Sequence, residues 1–249
     1  MTSSIVRSAC LLALLVPLAA HAADGANDKE KAAIAILRGD APEADKALAC
    51  KQLAIHGTAD AVPDLVALLD NERLHSWART GLEAIPGDEA SAALRAAAGR
   101  LSGRLLVGTI NTIGVRRDSA AIDLLAKRLG DADKAVASAA AVALGKVGTP
   151  AAAAVLAKAL PRAAGEVQSA VAEGLILAAE AAHGAGRSAD AVTLYDEVRK
   201  APVPAQRKLE ATRGAILARG DDGAALLVEQ LQSPEQSVFR LGLTTAREV

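Results

Sequence analysis

Aromatic side chains are almost missing from this chain: Trp77, Tyr195 and Phe239 are the only three in 249 residues. Their scarcity removes the stacking platforms that hold single-stranded nucleic acid and the cages that hold quaternary ammonium groups. With few β-branched runs as well, little in the sequence reads as strand. Cysteine is as scarce, with Cys10 and Cys50 alone. Neither sign of charge dominates, the formal net charge being −1, so nothing draws the chain to nucleic acid or to an anionic membrane. His56 and Cys50 are six positions apart, a spacing that suits neither one helix face nor a zinc pair. No Cys-x-x-Cys-His is present to attach a c-type haem. Ala143-Leu144-Gly145-Lys146 falls short of a phosphate loop, because Ala140 stands where the upstream glycine belongs and Val147 where the hydroxyl belongs. Gly184-Ala185-Gly186 lacks a preceding strand and a third glycine and reads as a turn. The sequence therefore offers no catalytic residue, no metal ligand set and no cofactor site.

Residues 1–22 read as a secretory signal peptide. Arg7 lies in the n-region, an apolar stretch runs from Ala9 to Ala20, and Ala20-His21-Ala22 forms a small-x-small cleavage site. Twelve apolar residues interrupted by Pro17 are too few to span a bilayer, so the expectation is a periplasmic or secreted chain with no membrane attachment after cleavage. Processing would remove Arg7, making the net charge −2, and leave Cys50 as the sole cysteine. Such a chain has no internal disulfide and takes its stability from packing. Cys50 falls in a helical run and reads as a small buried apolar residue, with intermolecular pairing as the alternative.

What the chain has in abundance is alanine, roughly a quarter of its residues, the strongest helix former. It also has a period. Leu53, Leu82, Ile113, Leu144 and Leu175 are separated by 29, 31, 31 and 31 positions, and Leu65, Leu94, Leu125 and Leu156 run in step at 29, 31 and 31. A column of small residues, Ala49, Ala78, Thr109 and Ala140, precedes the first ladder by one helical turn. A single closed core has no reason to repeat its apolar pattern, whereas stacked helix pairs must bury the same face again and again. The fold class expected is all-α, a right-handed α-solenoid of about seven antiparallel helix pairs. Helices are expected near 28–37, 42–55, 74–85, 189–200, 206–219, 222–232 and 236–247, with others between them. Asp118-Ser119 and Thr149-Pro150 mark helix starts.

The residues Gly57-Thr58-Ala59-Asp60-Ala61-Val62-Pro63 with Leu65, Leu68 and Leu69, and Asp131-Ala132-Asp133 through Val136 to Ala143-Leu144-Gly145-Lys146-Val147-Gly148, resemble HEAT repeats. The closest resemblance is to the short bacterial variety related to phycobilisome-lyase repeats. In that family a basic residue commonly follows the valine of the second helix; here Ala137 and His75 take its place. After Leu175 the register slips, and Gly186, Ala191, Tyr195 and Pro202-Val203-Pro204 resemble half of a tetratricopeptide repeat. The domain reading is thus a HEAT-repeat solenoid over 24–182, a tetratricopeptide-like helix and linker over 183–204, and further HEAT-like helices over 205–249. The resemblance implies a non-catalytic scaffold for protein–protein interaction, binding a protein partner or an attached domain. It also implies two alternatives: the scaffold region of a larger secreted enzyme (a sugar-processing or c-type cytochrome fusion) with catalysis beyond Val249, and a solenoid handling a tetrapyrrole. Export and the lack of aromatics argue against the last.

Candidate partner-binding residues lie outside the ladders. Arg116 and Arg117 mark an inter-repeat loop, Lys146 lies in the corresponding loop one repeat later, and Arg79 could align with them to present a basic face to an acidic partner. Trp77, whose column counterpart is Ala139, is either core filler or a partner anchor. His75 reads as a surface histidine, and Arg79, Lys127 and Arg128 as solvated residues. The aspartates at helix starts (Asp60, Asp64, Asp88, Asp118, Asp221, Asp222) read as caps. The last helix carries Val238, Phe239, Leu241 and Leu243 with no polar cap after it, so further repeats or a partner are expected to cover that end.

Overall fold

The computed structural model describes the backbone of residues 16–249 and the side chains of residues 27–249. Most of the signal-peptide reading, including Arg7 and Cys10, lies outside the described residues. Every regular element among the described residues is helical, and the chain divides into two compact units that meet between Ala90 and Ser91.

The first unit holds α1 (Val16–Arg38), α2 (Glu43–His56), α3 (Val62–Val66) and α4 (His75–Ala84), with a single 3₁₀ turn at Ala59–Ala61 leading into α3. Pro63 sits in the first turn of α3, where a missing N–H costs nothing. Helix α1 begins before the expected Asp28, at Val16. Helix α2 packs on α1 and α4, and α3 on α4. Leu53, Leu65 and Leu82 are fully buried, as are Ala78 and Cys50. Gly81 sits at the tightest crossing: a Cβ there would stand 2.9 Å from the Leu65 side chain. Buried Glu30 secures the turn after α2, its Oε1 accepting from the Thr58 N–H at 2.6 Å and from the Thr58 hydroxyl at 2.8 Å.

Helix α5 (Asp88–Arg100) opens with Asp88 and Glu89 in its first turn and crosses the unit boundary. The second unit continues with α6 (Gly103–Val115), α7 (Ile122–Arg128), α8 (Lys134–Val147), α9 (Pro150–Ala159), α10 (Gly165–Gly184), α11 (Ser188–Lys200), α12 (Ala205–Arg219), α13 (Ala224–Leu231) and α14 (Gln236–Thr245). Consecutive helices form pairs. The second members α6, α8 and α10 lie side by side, while α7 and α9 pack on α8 and on one another. This is an all-α stack of repeated helix pairs, the solenoid arrangement expected from the period.

Both ladders carry the stack. Leu94, Ile113, Leu125, Leu144, Leu156 and Leu175 are all completely buried, with Thr109 and Ala140 from the small-residue column. Each fully buried leucine contributes about 1.5–3 kcal/mol relative to exposure. Glycines let the backbones touch. A Cβ on Gly114 would stand 2.8 Å from the Ala143 Cα, one on Gly145 would stand 2.5 Å from the Gly174 Cα, and one on Gly174 would stand 2.5 Å from the Ala141 carbonyl oxygen.

The 20-residue α10 confirms the expected lengthening after Leu175. Ala191, Tyr195 and Val198 of α11 are buried, and the Tyr195 ring lies directly over Gly214 of α12, where no Cβ would fit. Asp196 on α11 accepts from Arg199 and, at 2.6 Å, from Arg219 of α12. Arg207 ties α12 to Glu173 of α10. Helix α14 packs on α12 and α13, and Arg213 holds Glu248 in a two-pronged ion pair. Phe239, Leu243 and Val228 remain 39%, 45% and 48% exposed.

Candidate functional site

Both expected helix starts form as read. Thr149 is the N-cap of α9, its hydroxyl accepting from the Ala152 N–H at 3.3 Å, and Asp118 caps the 3₁₀ turn before α7 by accepting from the Ala120 N–H. Other aspartates behave differently. Thr58, not Asp60, caps the turn before α3, and Asp64 pairs with Arg38 at 2.8 Å.

The expectation of a surface histidine at position 75 is wrong. His75 is 3% exposed, and its Nδ1 lies 2.7 Å from the Leu69 carbonyl oxygen. A carbonyl only accepts, so Nδ1 carries the proton and donates. The chain folds back before α4 because Asn71 Oδ1 accepts from the N–H groups of Arg73 and Leu74; this Asx turn carries the His75 ring under the helix. Arg128 is no free surface residue either. It donates to the Ala98 carbonyl at 2.7 Å and pairs with Asp131 at 3.1 Å, joining α7 to the end of α5.

The five candidate residues separate into two sets. In the first unit Trp77 is half-buried, and Lys51 Nζ of α2 sits 4.9 Å from its ring centroid, within cation–π range. Arg79 is half-buried; burial pulls its guanidinium below the usual value, and the charge of Glu83 one turn on works the other way.

In the second unit Arg116, Arg117 and Lys146 have different surroundings. Arg116 turns inward and donates from Nε to the hydroxyl of buried Ser91 at 3.0 Å. Asp118 holds Arg95. Between these two anchored neighbours the Arg117 side chain is exposed and makes no hydrogen bond or ion pair among the described residues. Lys146 is half-buried and likewise without a charged partner. Arg117, Lys146 and Glu180 line one groove across the C-terminal ends of α6, α8 and α10, with Val115, Leu177 and Ala181 as its apolar part.

The backbone at Arg117 is unusual. Helix α6 ends in a Schellman motif: the Arg117 N–H donates to the Gly114 carbonyl at 3.0 Å and the Asp118 N–H to the Ile113 carbonyl at 3.3 Å. That geometry puts the residue after the C-cap, second from last in the motif, in the left-handed region, a place normally held by glycine. Arg117 occupies it with φ +52°, the one non-glycine at positive φ among the described residues. Gly148, 31 positions later, holds the corresponding position after α8 with φ +66°. A side chain there costs on the order of 1 kcal/mol.

A second groove escaped the sequence reading. It is lined by Ala153, Ala157, Ala178 and Ala182 from α9 and α10 and by Leu194 of α11, with Lys158 and Glu197 among its charged residues. The register slip after Leu175 was its trace in the sequence, since the lengthened α10 and the α11 that follows it both line the groove. Among the described residues no group of three or more His, Cys, Asp or Glu side chains is arranged to hold a metal, and no helix is long and apolar enough to cross a membrane.

Burial holds Cys50 in its thiol form, raising its pKa to about 11, in keeping with the small apolar role read from its position.

Comparison with known proteins bears on the fold. No curated protein matches the chain. Among solved structures, the complex of CpcE and CpcF of phycocyanin lyase from Nostoc sp. PCC7120 aligns at 16% identity and TM-score 0.41, covering 100% of this chain and 97% of that one. An engineered protein aligns at 22% identity and TM-score 0.34, covering 89% and 97%. The family model described as HEAT repeats matches residues 102–176, the stretch in which α6, α8 and α10 stack through their glycines. Residues 102–176 thus match HEAT repeats, as the resemblance read from the ladders implies.

Proposed function

We propose that this chain is an exported, non-catalytic HEAT-repeat scaffold that binds a protein partner through loop residues outside its buried ladders. The observation that carries the reading is the division of labour within the repeats. The ladder side chains are consumed by packing, whereas Arg117, in the loop after α6, and Lys146, in the last turn of α8 and not in the loop expected from the sequence, have no side-chain partner among the described residues and share one groove. Unpaired cations beside exposed apolar surface are groups left over for an interface. Export rests on the three-part pattern of residues 1–22, and the mature chain is expected to begin at Ala23. The experiment is expression of the full chain with a C-terminal tag in a bacterial host, cell fractionation, N-terminal sequencing, and use of the mature chain as bait on the periplasmic fraction. Recovery beginning at Ala23 with a retained protein supports the proposal; a cytoplasmic, unprocessed chain that retains nothing overturns it.

A second reading, in which the chain is the scaffold region of a larger secreted enzyme, is favoured by the exposure of Val228, Phe239 and Leu243 on α13 and α14. Those side chains suit coverage by further polypeptide. The coding sequence after Val249 decides this: an immediate stop codon overturns it.

A further inference from the structure

We infer that the groove at the C-terminal ends of α6, α8 and α10 binds an acidic peptide segment carrying an aliphatic residue, and that Arg117 is its anchor. The inference rests on the scaffold reading above and adds the partner's chemistry. A left-handed position after a repeat helix is filled by glycine after α8, at Gly148, and by arginine after α6. Arginine has no conformational reason to be there. Nor does the side chain repay the strain by contacts within the fold, because among the described residues it makes no hydrogen bond or ion pair while Arg116 and Asp118 on either side are both engaged. Strain retained without internal compensation points to a role outside the chain.

The surroundings specify the ligand. Arg117 offers a planar fork suited to a carboxylate, and Lys146 adds a second unpaired cation on the same groove. Val115, 48% exposed, continues with Leu177 and Ala181 into an apolar strip that takes an aliphatic side chain. Glu180 lines the same groove and also acts on Arg213, whose guanidinium is held above its usual value chiefly by Glu248, with Glu180 contributing. Arg117 and Lys146 outnumber Glu180 among the charged side chains of the groove, so its net charge is positive. Cations at helix C-termini also interact favourably with the helix dipole; that role needs no ligand and separates from binding in the test.

The test uses the full mature chain and two probes, a short fluorescein-labelled Leu-Glu-Glu-Leu peptide and its Leu-Lys-Lys-Leu counterpart, followed by anisotropy. The acidic peptide is expected to bind and the basic one to fail, with binding weakened by salt. Arg117→Gly is expected to weaken binding roughly tenfold, the loss of one charge-assisted hydrogen bond. Its thermal midpoint should stay level or rise. Arg117→Lys should restore only part of the binding, keeping the charge without the planar fork, and Lys146→Gln should weaken it with the fold intact. Equal binding by wild type and Arg117→Gly, no binding of the acidic peptide, or a lower melting temperature for Arg117→Gly would each overturn the inference. Capture of a protein that survives Arg117→Gly leaves the scaffold reading standing and defeats this one; a bait that retains nothing defeats the scaffold reading itself.

Discussion

Gly145 and Gly174 show how much of this fold depends on atoms that are missing. At their crossing the α8 and α10 backbones are too close for a Cβ on either side, so a methyl group must push two helices apart. Gly145→Ala is expected to destabilise by about 1–3 kcal/mol despite alanine's better helix propensity. Gly99, in α5 with open space around it, is the control: Gly99→Ala should gain up to ~1 kcal/mol. Thermal melts followed by circular dichroism distinguish the two, and equal shifts would show that the close approach is not real. Cys50 gives a second residue-scale check. Fully buried, with its thiol raised to about 11, it should react with a thiol reagent at neutral pH only after denaturant is added. Sequence spacing found the ladder leucines because burial repeats with the period. It named Arg117 but missed its left-handed backbone, although comparison with Gly148 one repeat later held that signal. It misplaced His75 because the turn that buries the ring is built by Asn71, a residue outside the apolar pattern.

Helices α11 and α12 are joined by charge as well as by the Tyr195–Gly214 contact. Burial of Asp196 works against its ionised form, but hydrogen bonds from Arg199 and Arg219 outweigh this and hold its carboxyl below the usual range. On unfolding the carboxyl returns to an ordinary value near 4. The stabilisation is therefore present above about pH 4 and disappears as pH falls through the lower folded value. Asp196→Asn is expected to cost about 1–3 kcal/mol at pH 7, and the gap to wild type should close in strongly acidic solution. Urea titrations at both pH values check this; a gap that is unchanged at low pH would remove the ion pairs as its cause. Within the stack, Leu144→Ala should cost about 2–5 kcal/mol. Most element boundaries were readable from apolar spacing and caps, α12 and α14 starting within a residue of expectation. Helix α1 starts earlier because the apolar signal-like residues also favour helix, and the 3₁₀ turns before α3 and α7 leave no mark in a 3.6-residue pattern.

For the whole molecule, a near-neutral chain has been given a local basic groove. The fold could be read because each helix pair must bury the same face, which writes one pattern repeatedly into the sequence. The groove could be read only in part, since its residues come from loops and helix ends that vary between repeats. Arg116 and Arg117 are adjacent in sequence yet opposite in role, and only the structure separates the residue tied to Ser91 from the one whose side chain has no partner among the described residues. The scaffold account turns on that distinction between residues used for packing and residues left for a partner. Its most direct test is a paired bait experiment on the periplasmic fraction, comparing the wild-type mature chain with a variant carrying Arg117→Glu and Lys146→Glu, with circular dichroism confirming that both are folded. The account expects the wild-type chain to retain a protein that the variant loses while the melting curves agree; identical retention by the two folded baits would contradict it.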